Sequence, residues 1–270
     1  MRLQNKVIVV TGAGSGLGRE LSKQLVQRGA RVAMVDINEK GLQETAQMAG
    51  VGKVSMHVLN VSERSAVEAL PEQVVSAHGQ VDGIINNAGI MQNFVDVKDL
   101  DYARIERIMN INFYGTLFMT KSFLPYLLKR PDAHIANVSS MGGFIPYPGQ
   151  TLYGASKAAV KLLTEGLYAE LKGTAVHVTI VFPGAMQTNI AANSGVAVPS
   201  AAVNSKQAAR SLPAEKAAHS MLEGIEKDAF RILLGSDARM LDIMYRLNPR
   251  KAVHFIVQKM GKFREILRGG

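Results

Sequence analysis

The chain reads as an α/β protein built on a doubly wound, mostly parallel sheet of seven strands with helices on both faces. Three observations predict this. Short β-branched runs alternate with segments of helical periodicity along most of the 270 residues. The first run, Val7-Ile8-Val9-Val10, is apolar throughout, as strands covered on both faces are. It passes directly into a glycine-rich turn and then a helix pattern. Crossovers between such parallel strands are right-handed.

Val7–Val10 is followed by Thr11-Gly12-Ala13-Gly14-Ser15-Gly16-Leu17-Gly18. Leu17, Leu21, Leu25 and Val26 then recur at helical spacing, and Gly29 ends the helix. Glycines let a backbone turn tightly and approach a ligand closely. The helix that follows offers free N–H groups and partial positive charge to a pyrophosphate. Arg31–Asp36 is the second strand and ends in an acid 18 residues after Gly18. A carboxylate there accepts hydrogen bonds from adenosine ribose hydroxyls and repels a 2′-phosphate. Neither Ile37 nor Ser15 supplies the cation that a 2′-phosphate needs. NAD is therefore expected rather than NADP.

Val54–Val58 is the third strand, and Asn60-Val61 after it offers an amide and an apolar contact to an adenine. His57 reads as a sheet residue. A helix over 62–77 leads to a fourth strand over Val81–Ile85 and to Asn86-Asn87-Ala88-Gly89. A long helical stretch over 102–129 is expected to bend at Pro125. It is apolar nearly all round, which suits a subunit interface and predicts a homodimer or homotetramer. Its lone amide is Asn112. His134–Val138 is the fifth strand and delivers Ser139 and Ser140 to its C-terminal end, where open parallel sheets bind ligands.

Gly142-Gly143 and Pro146 mark a loop before a helix that carries Tyr153 and Lys157. Four positions apart, these two share one helix face. An ammonium beside a phenol favours the phenolate and predicts a lowered tyrosine pKa, which makes the pair a candidate acid–base. Val176–Phe182 is the sixth strand, ending in Pro183-Gly184-Ala185-Met186-Gln187-Thr188. Residues 188–212 carry no firm pattern and read as a lid. A helix over 213–226 and the strand Arg231–Gly235 complete the sheet.

Composition narrows the function. Apolar residues make up 47 %, enough for a sizeable core. No apolar run reaches the ~18–20 residues that span a bilayer. The first residues lack the pattern of a secretory signal, so a cytoplasmic location is expected. With no cysteine there are no disulfides or thiolate metal sites, and no metal is expected. The net charge is +9, and residues 231–270 hold nine cations against three carboxylates. The near-neutral body argues against nucleic-acid binding. Residues 236–270 form a basic amphipathic extension, expected to cover the domain, with subunit contact or peripheral membrane contact as further readings.

Six pieces carry a family resemblance: Thr11-Gly12-x-x-x-Gly16-x-Gly18, Asn86-Asn87-Ala88-Gly89, Asn112, Ser140, Tyr153-x-x-x-Lys157 and Pro183-Gly184-x-x-x-Thr188. In this order and spacing the chain resembles the short-chain dehydrogenase/reductase family over residues 5–235. The thirteen residues from Ser140 to Tyr153 point to Ser140 rather than Ser139 as the functional serine.

The resemblance implies a Rossmann-type catalytic domain over 1–235, with its lid at about 188–212 and the extension at 236–270. It implies a catalytic tetrad of Asn112, Ser140, Tyr153 and Lys157. Tyr153 exchanges a proton with the substrate oxygen. Lys157 lowers its pKa and holds the nicotinamide ribose. Ser140 bonds the substrate oxygen, and Asn112 holds a water that links Lys157 to solvent. The expected cofactor residues are Gly12, Ser15, Gly16, Leu17, Gly18, Asp36, Ile37, Asn60, Val61, Asn87, Ala88, Gly89, Tyr153, Lys157, Pro183, Gly184, Met186 and Thr188.

The expected activity interconverts a hydrophobic secondary alcohol and its ketone or aldehyde with NAD(H). Ser140, Gly142, Phe144, Tyr147, Tyr153 and Met186 are the expected substrate contacts, with Met141 and Gly143 beside them; none suits a free carboxylate or phosphate. Alternatives are a 3-ketoacyl-type reductase of lipid metabolism, usually NADPH-dependent, and a non-catalytic NAD-binding scaffold or sensor. An intact Ser140, Tyr153 and Lys157 argues against the scaffold.

Overall fold

A computed structural model describes residues 1–188, 190–196 and 211–261, with the backbone of 262–268. Seven parallel strands form the sheet in the order β3-β2-β1-β4-β5-β6-β9. They are β1 Val7–Thr11, β2 Arg31–Asp36, β3 Val54–Val58, β4 Gly83–Asn86, β5 Ala133–Val138, β6 Val176–Pro183 and β9 Arg231–Leu234. The short strands β7 Met186–Gln187 and β8 Leu212–Pro213 pair outside this sheet.

Both faces of the central strands are covered, which explains the continuous apolar run of β1, whereas the edge strand β3 leaves Met56 and Val58 exposed. Ile8 and Val10 of β1 pack on one side with Leu21 and Leu25 of α1 (Gly16–Gln27), Leu42 of α2 (Glu39–Ala49) and the later Met221 and Leu222. Val7 and Val9 point the other way. They meet Leu70 and Val74 of α3 (Arg64–His78), in a layer that includes residues of α5 (Gly115–Leu127) and α6 (Thr151–Glu170). Alternate side chains of one strand thus enter two cores. The strand order reverses between β2-β1 and β4, which opens a crevice at the carboxyl ends of β1 and β4.

The stretch expected as one helix over 102–129 is divided. α4 (Tyr102–Met109) passes through a π-helical turn, Asn110–Tyr114, into α5. The local change lies at Asn112, upstream of the Pro125 expected to bend it. Widened turns of this kind re-aim a side chain and recur at functional sites. Gly115 follows at once, where a Cβ would come within 2.8 Å of Val61 Cγ2.

Of the expected lid, a short helix α7 (Ile190–Asn193) is described, and 197–210 lie outside the described residues. After α8 (Ala214–Glu226) and β9, the extension forms α9 (Ser236–Leu247) and α10 (Pro249–Arg268). Leu241, Ala252 and Ile256 pack with Ile145, Met141 and Tyr147 beside the carboxyl ends of the strands. The extension therefore covers the crevice side of the domain. No helix among the described residues is long and apolar enough to cross a membrane.

Candidate active site

The crevice is a chamber of about 1640 Å³. A single small ligand occupies a pocket of roughly 300–1,000 Å³, so this one has room for two. Gly12, Ser15, Gly16 and Leu17 line one end. Gly12 and Gly16 hold φ of +67° and +52°, conformations that favour glycine. Gly18, expected among the ligand contacts, does not line the chamber. A Cβ there would fall 2.0 Å from the Gly12 carbonyl oxygen, so its role is to let α1 sit against the loop.

Asp36, at the end of β2, accepts N–H bonds from Gly14 at 2.8 Å and Asn38 at 2.9 Å. Ile37 beside it is 70 % exposed and lines the chamber. Arg19, which donates to the Gly14 carbonyl beside it, is spent there and on Glu44 and Thr45. Asn60 and Val61 line the same end. The Asn60 side-chain Oδ1 accepts from the Ser62 N–H and hydroxyl, so it also shapes the turn into α3. Thr11 ties the two halves of the crevice: its hydroxyl accepts the N–H groups of Asn87 and Ala88, both at 3.0 Å. It was absent from the expected site.

Tyr153 and Lys157 lie on α6 facing the chamber, with Ser140 across from them at the end of β5. Ser140 lies beside Tyr153, a Cβ on Gly142 meeting the Ser140 hydroxyl at 3.5 Å and the Tyr153 ring at 3.6 Å, and it accepts from the Gly142 N–H at 3.1 Å. Ser139 is buried and donates to the Lys157 carbonyl at 2.7 Å, which pins α6 to β5. Lys157 Nζ donates to the Val138 carbonyl at 2.9 Å. Burial lowers the Lys157 pKa to about 8. Burial raises the Tyr153 pKa, opposed by the Ser140 hydroxyl. The lowered tyrosine pKa expected from the neighbouring lysine is thus corrected for the protein alone. Enclosure penalises the phenolate more than Ser140 relieves it.

Asn112 is fully buried and does not line the chamber. Its oxygen accepts from Ile90 N–H at 2.8 Å, and its amide donates to the Ile90 carbonyl and to Ser156. Ser156 in turn donates to the Tyr153 carbonyl at 2.7 Å. Asn112 Oδ1 and Lys157 Nζ flank the same side of Gly89, where a Cβ would meet both at 3.2 and 3.1 Å. Two residues beyond Ile90, Gln92 is buried, and its oxygen accepts the N–H groups of Leu152 and Tyr153. Gln150, the residue that opens α6, supplies no side-chain cap. Gln92 is therefore an N-cap delivered from another segment. Its type and position in a loop gave no signal in the sequence.

Thr188 packs by Gly16, where a Cβ would approach its own Cβ at 3.4 Å. Asn193 of α7 donates to Ser15 at 2.8 Å, so the described part of the lid reaches the glycine loop. Pro183, Gly184 and Met186 line the chamber. Asp237 holds this segment by accepting the Ala185 N–H at 2.7 Å. Among the expected substrate contacts, Gly142, Tyr147 and Met186 line the chamber, whereas Phe144 does not. Its ring packs at 5.4 Å from Phe182 and beside Tyr245, turned to the core by the helix that covers it. Gly143 is likewise packed, against Ser139 and Lys157. In their place the extension contributes Met240, Leu241, Phe255, Ile256 and Met260.

The residues present fit a nicotinamide dinucleotide. One end offers a positive-φ glycine loop at a helix N-terminus, the second strand ends in an acceptor, and a buried ammonium and phenol lie at the other end. The short chain dehydrogenase family model matches residues 6–197. An oxidoreductase named SadH from Mycobacterium tuberculosis is 36 % identical over 269 residues, covering 96 % of this chain and 97 % of that protein. A short-chain dehydrogenase/reductase from Burkholderia phymatum in complex with NAD has a TM-score of 0.78 at 28 % identity, covering 86 % of this chain and 90 % of that one. A short chain dehydrogenase from Burkholderia cenocepacia J2315 in complex with NADP has a TM-score of 0.80 at 25 % identity, covering 95 % and 99 %. The protein is an oxidoreductase of CH–OH groups that works with a nicotinamide cofactor, and the chain belongs to the short-chain dehydrogenase/reductase family.

Proposed function

We propose that the protein interconverts a hydrophobic secondary alcohol and its ketone with NAD(H), using Tyr153 as the acid–base. The observation that carries this reading is that Tyr153 and Ser140 stand side by side, a Cβ on Gly142 meeting the Ser140 hydroxyl at 3.5 Å and the Tyr153 ring at 3.6 Å, in a chamber walled by Met91, Met141, Met186, Leu241, Ile256 and Met260. A substrate oxygen within reach of both hydroxyls receives or loses its proton at Tyr153 Oη. Ser140 Oγ–H steadies the charge on that oxygen. When bound, the nicotinamide donates or accepts the hydride.

Lys157 provides the charge that holds ribose hydroxyls and favours the Tyr153 phenolate. Its pKa of about 8 leaves the ammonium dominant at neutral pH. Asn112 fixes the turn after Gly89 and, through Ser156, the first turn of α6. We assign NAD over NADP because Asp36 faces the chamber and Arg19 is committed elsewhere. The apolar wall supports a substrate with a bulky or chain-like hydrocarbon part. Exposed Tyr114, Leu162 and Tyr168 on the π-helical turn and α6 support self-association, as homodimer or homotetramer.

The test is formation of NADH and NADPH over a panel of short and long secondary alcohols and 3-hydroxyacyl thioesters. Turnover of long apolar alcohols with NAD is expected. Preference for NADP, or for small polar alcohols, overturns the corresponding part of the reading.

A further inference from the structure

α9 is apolar on two opposite faces. Its inner face packs Ala238 and Leu241, with Met244 and Tyr245, against the body. A helix at a protein surface is ordinarily polar on its outer side. Here that side presents Met240, Ile243 and Leu247, at 44, 60 and 81 % exposure. Spaced three and four residues apart, they form one stripe of about 10 Å along the helix. Exposed Arg239, Arg246 and Arg250 flank it, and Lys251 follows. Among residues 238–261 the one carboxylate is Asp242, which is buried and paired with Arg231 and Arg246. The surface is thus hydrophobic and cationic, and the half-exposed acid of the same helix, Asp237, lies in its first turn and is engaged by the Ala185 N–H.

We propose that the outer face of α9 docks on an anionic lipid surface. An apolar stripe flanked by arginines is the pattern that sinks into the headgroup boundary and is held there by acidic lipid. A second copy of this chain is the poorer occupant. A two-fold contact across the stripe sets Arg239 and Arg250 near their own images, while the carboxylate within 238–261, Asp242, is buried and already paired with Arg231 and Arg246. The surface is also continuous with the chamber, because Met240 belongs to both and Lys259 and Met260 of α10 line the chamber too. Docked this way, the chamber mouth meets the membrane, which gives an apolar molecule a path that avoids water. The docking itself does not depend on which substrate is turned over.

The experiment is co-sedimentation of the full chain with phosphatidylcholine vesicles, with and without phosphatidylglycerol, at low and high salt. The protein is expected to pellet with the phosphatidylglycerol vesicles and to be released by salt. Ile243→Glu/Leu247→Glu is expected to weaken binding by about tenfold or more, with NADH binding and melting temperature unchanged. Arg239→Gln/Arg250→Gln is a second variant that leaves the apolar stripe intact and is also expected to weaken it. Equal binding to both vesicle types, no binding, or full binding by the glutamate variant overturns the proposal; the last marks adsorption by net charge alone. A lowered sedimentation coefficient of the glutamate variant, without vesicle binding by the parent, identifies a second copy as the occupant instead.

Discussion

Gln92 and Tyr153 lie on different segments and are joined through the backbone. The Gln92 side-chain oxygen accepts the Tyr153 N–H at 3.3 Å and the Leu152 N–H at 2.8 Å. Gln92 is itself held, because Gln150 donates to its carbonyl at 2.6 Å. The loop after β4 therefore positions the first turn of the helix that carries the proposed acid–base.

Gln92→Leu is expected to lower kcat by about tenfold or more while leaving NADH affinity nearly unchanged, because small misplacements of a reacting group are costly. The lost cap is expected to cost about 1 kcal/mol of stability. Steady-state kinetics and NADH titration of this variant check it. An unchanged kcat, or a loss of NADH affinity as large as the loss of kcat, counts against a positioning role for Gln92.

Tyr153→Phe removes one hydroxyl and leaves Lys157 in place. It is expected to abolish turnover with NAD binding nearly intact, measured by NADH fluorescence titration. Near-normal turnover in this variant refutes the assignment of Tyr153.

Asp36→Ala removes the negative charge at the end of β2 and the acceptor for two backbone N–H groups. NAD affinity is expected to fall and NADP affinity to rise, so the preference narrows. Titration of both cofactors decides it, and an unmodified protein that binds NADPH more tightly than NADH contradicts the assignment.

Lys157 gives a pH dependence with a definite sign. Its pKa falls from 10.5 in the unfolded chain to about 8 in the fold through burial. Between these values the unfolded chain holds more protons, so stability rises with pH across about 8 to 10.5. Below about 8 the burial cost is fully present. Lys157→Met is expected to stabilise the cofactor-free protein at pH 7 by up to about 2 kcal/mol, after the lost bond to Val138 is counted. The gain shrinks as pH rises through this window. Denaturation midpoints of both proteins over pH 6–10 test it, and a gain independent of pH assigns it to packing instead.

Most of the sheet was legible in the sequence. Strand runs separated by helical segments, led by the wholly apolar β1, leave a parallel sheet covered by helices as the natural solution, because each backbone group must pair and each apolar face must be buried. The glycine loop was legible for the same local reason: Gly12 and Gly16 adopt backbone angles that other residues reach only with strain. Tyr153, Lys157 and Ser140 were readable as a group from their types and spacing, with Ser139 set apart once its hydroxyl is seen bonded to Lys157.

What only the tertiary structure decided is where long-range partners meet. Nothing local to Gln92 says that its amide caps a helix sixty residues on, nor does Asp237 announce its bond to Ala185. Phe144 has the composition of a substrate contact, yet the helix over it turns its ring to the core. The sign of the Tyr153 shift followed from enclosure, which a four-residue spacing does not encode. Residue type and periodicity determine which chemistry and which elements a chain can form. Desolvation, capping and the closing of the chamber by α9 and α10 depend on surfaces that come together only when the chain folds.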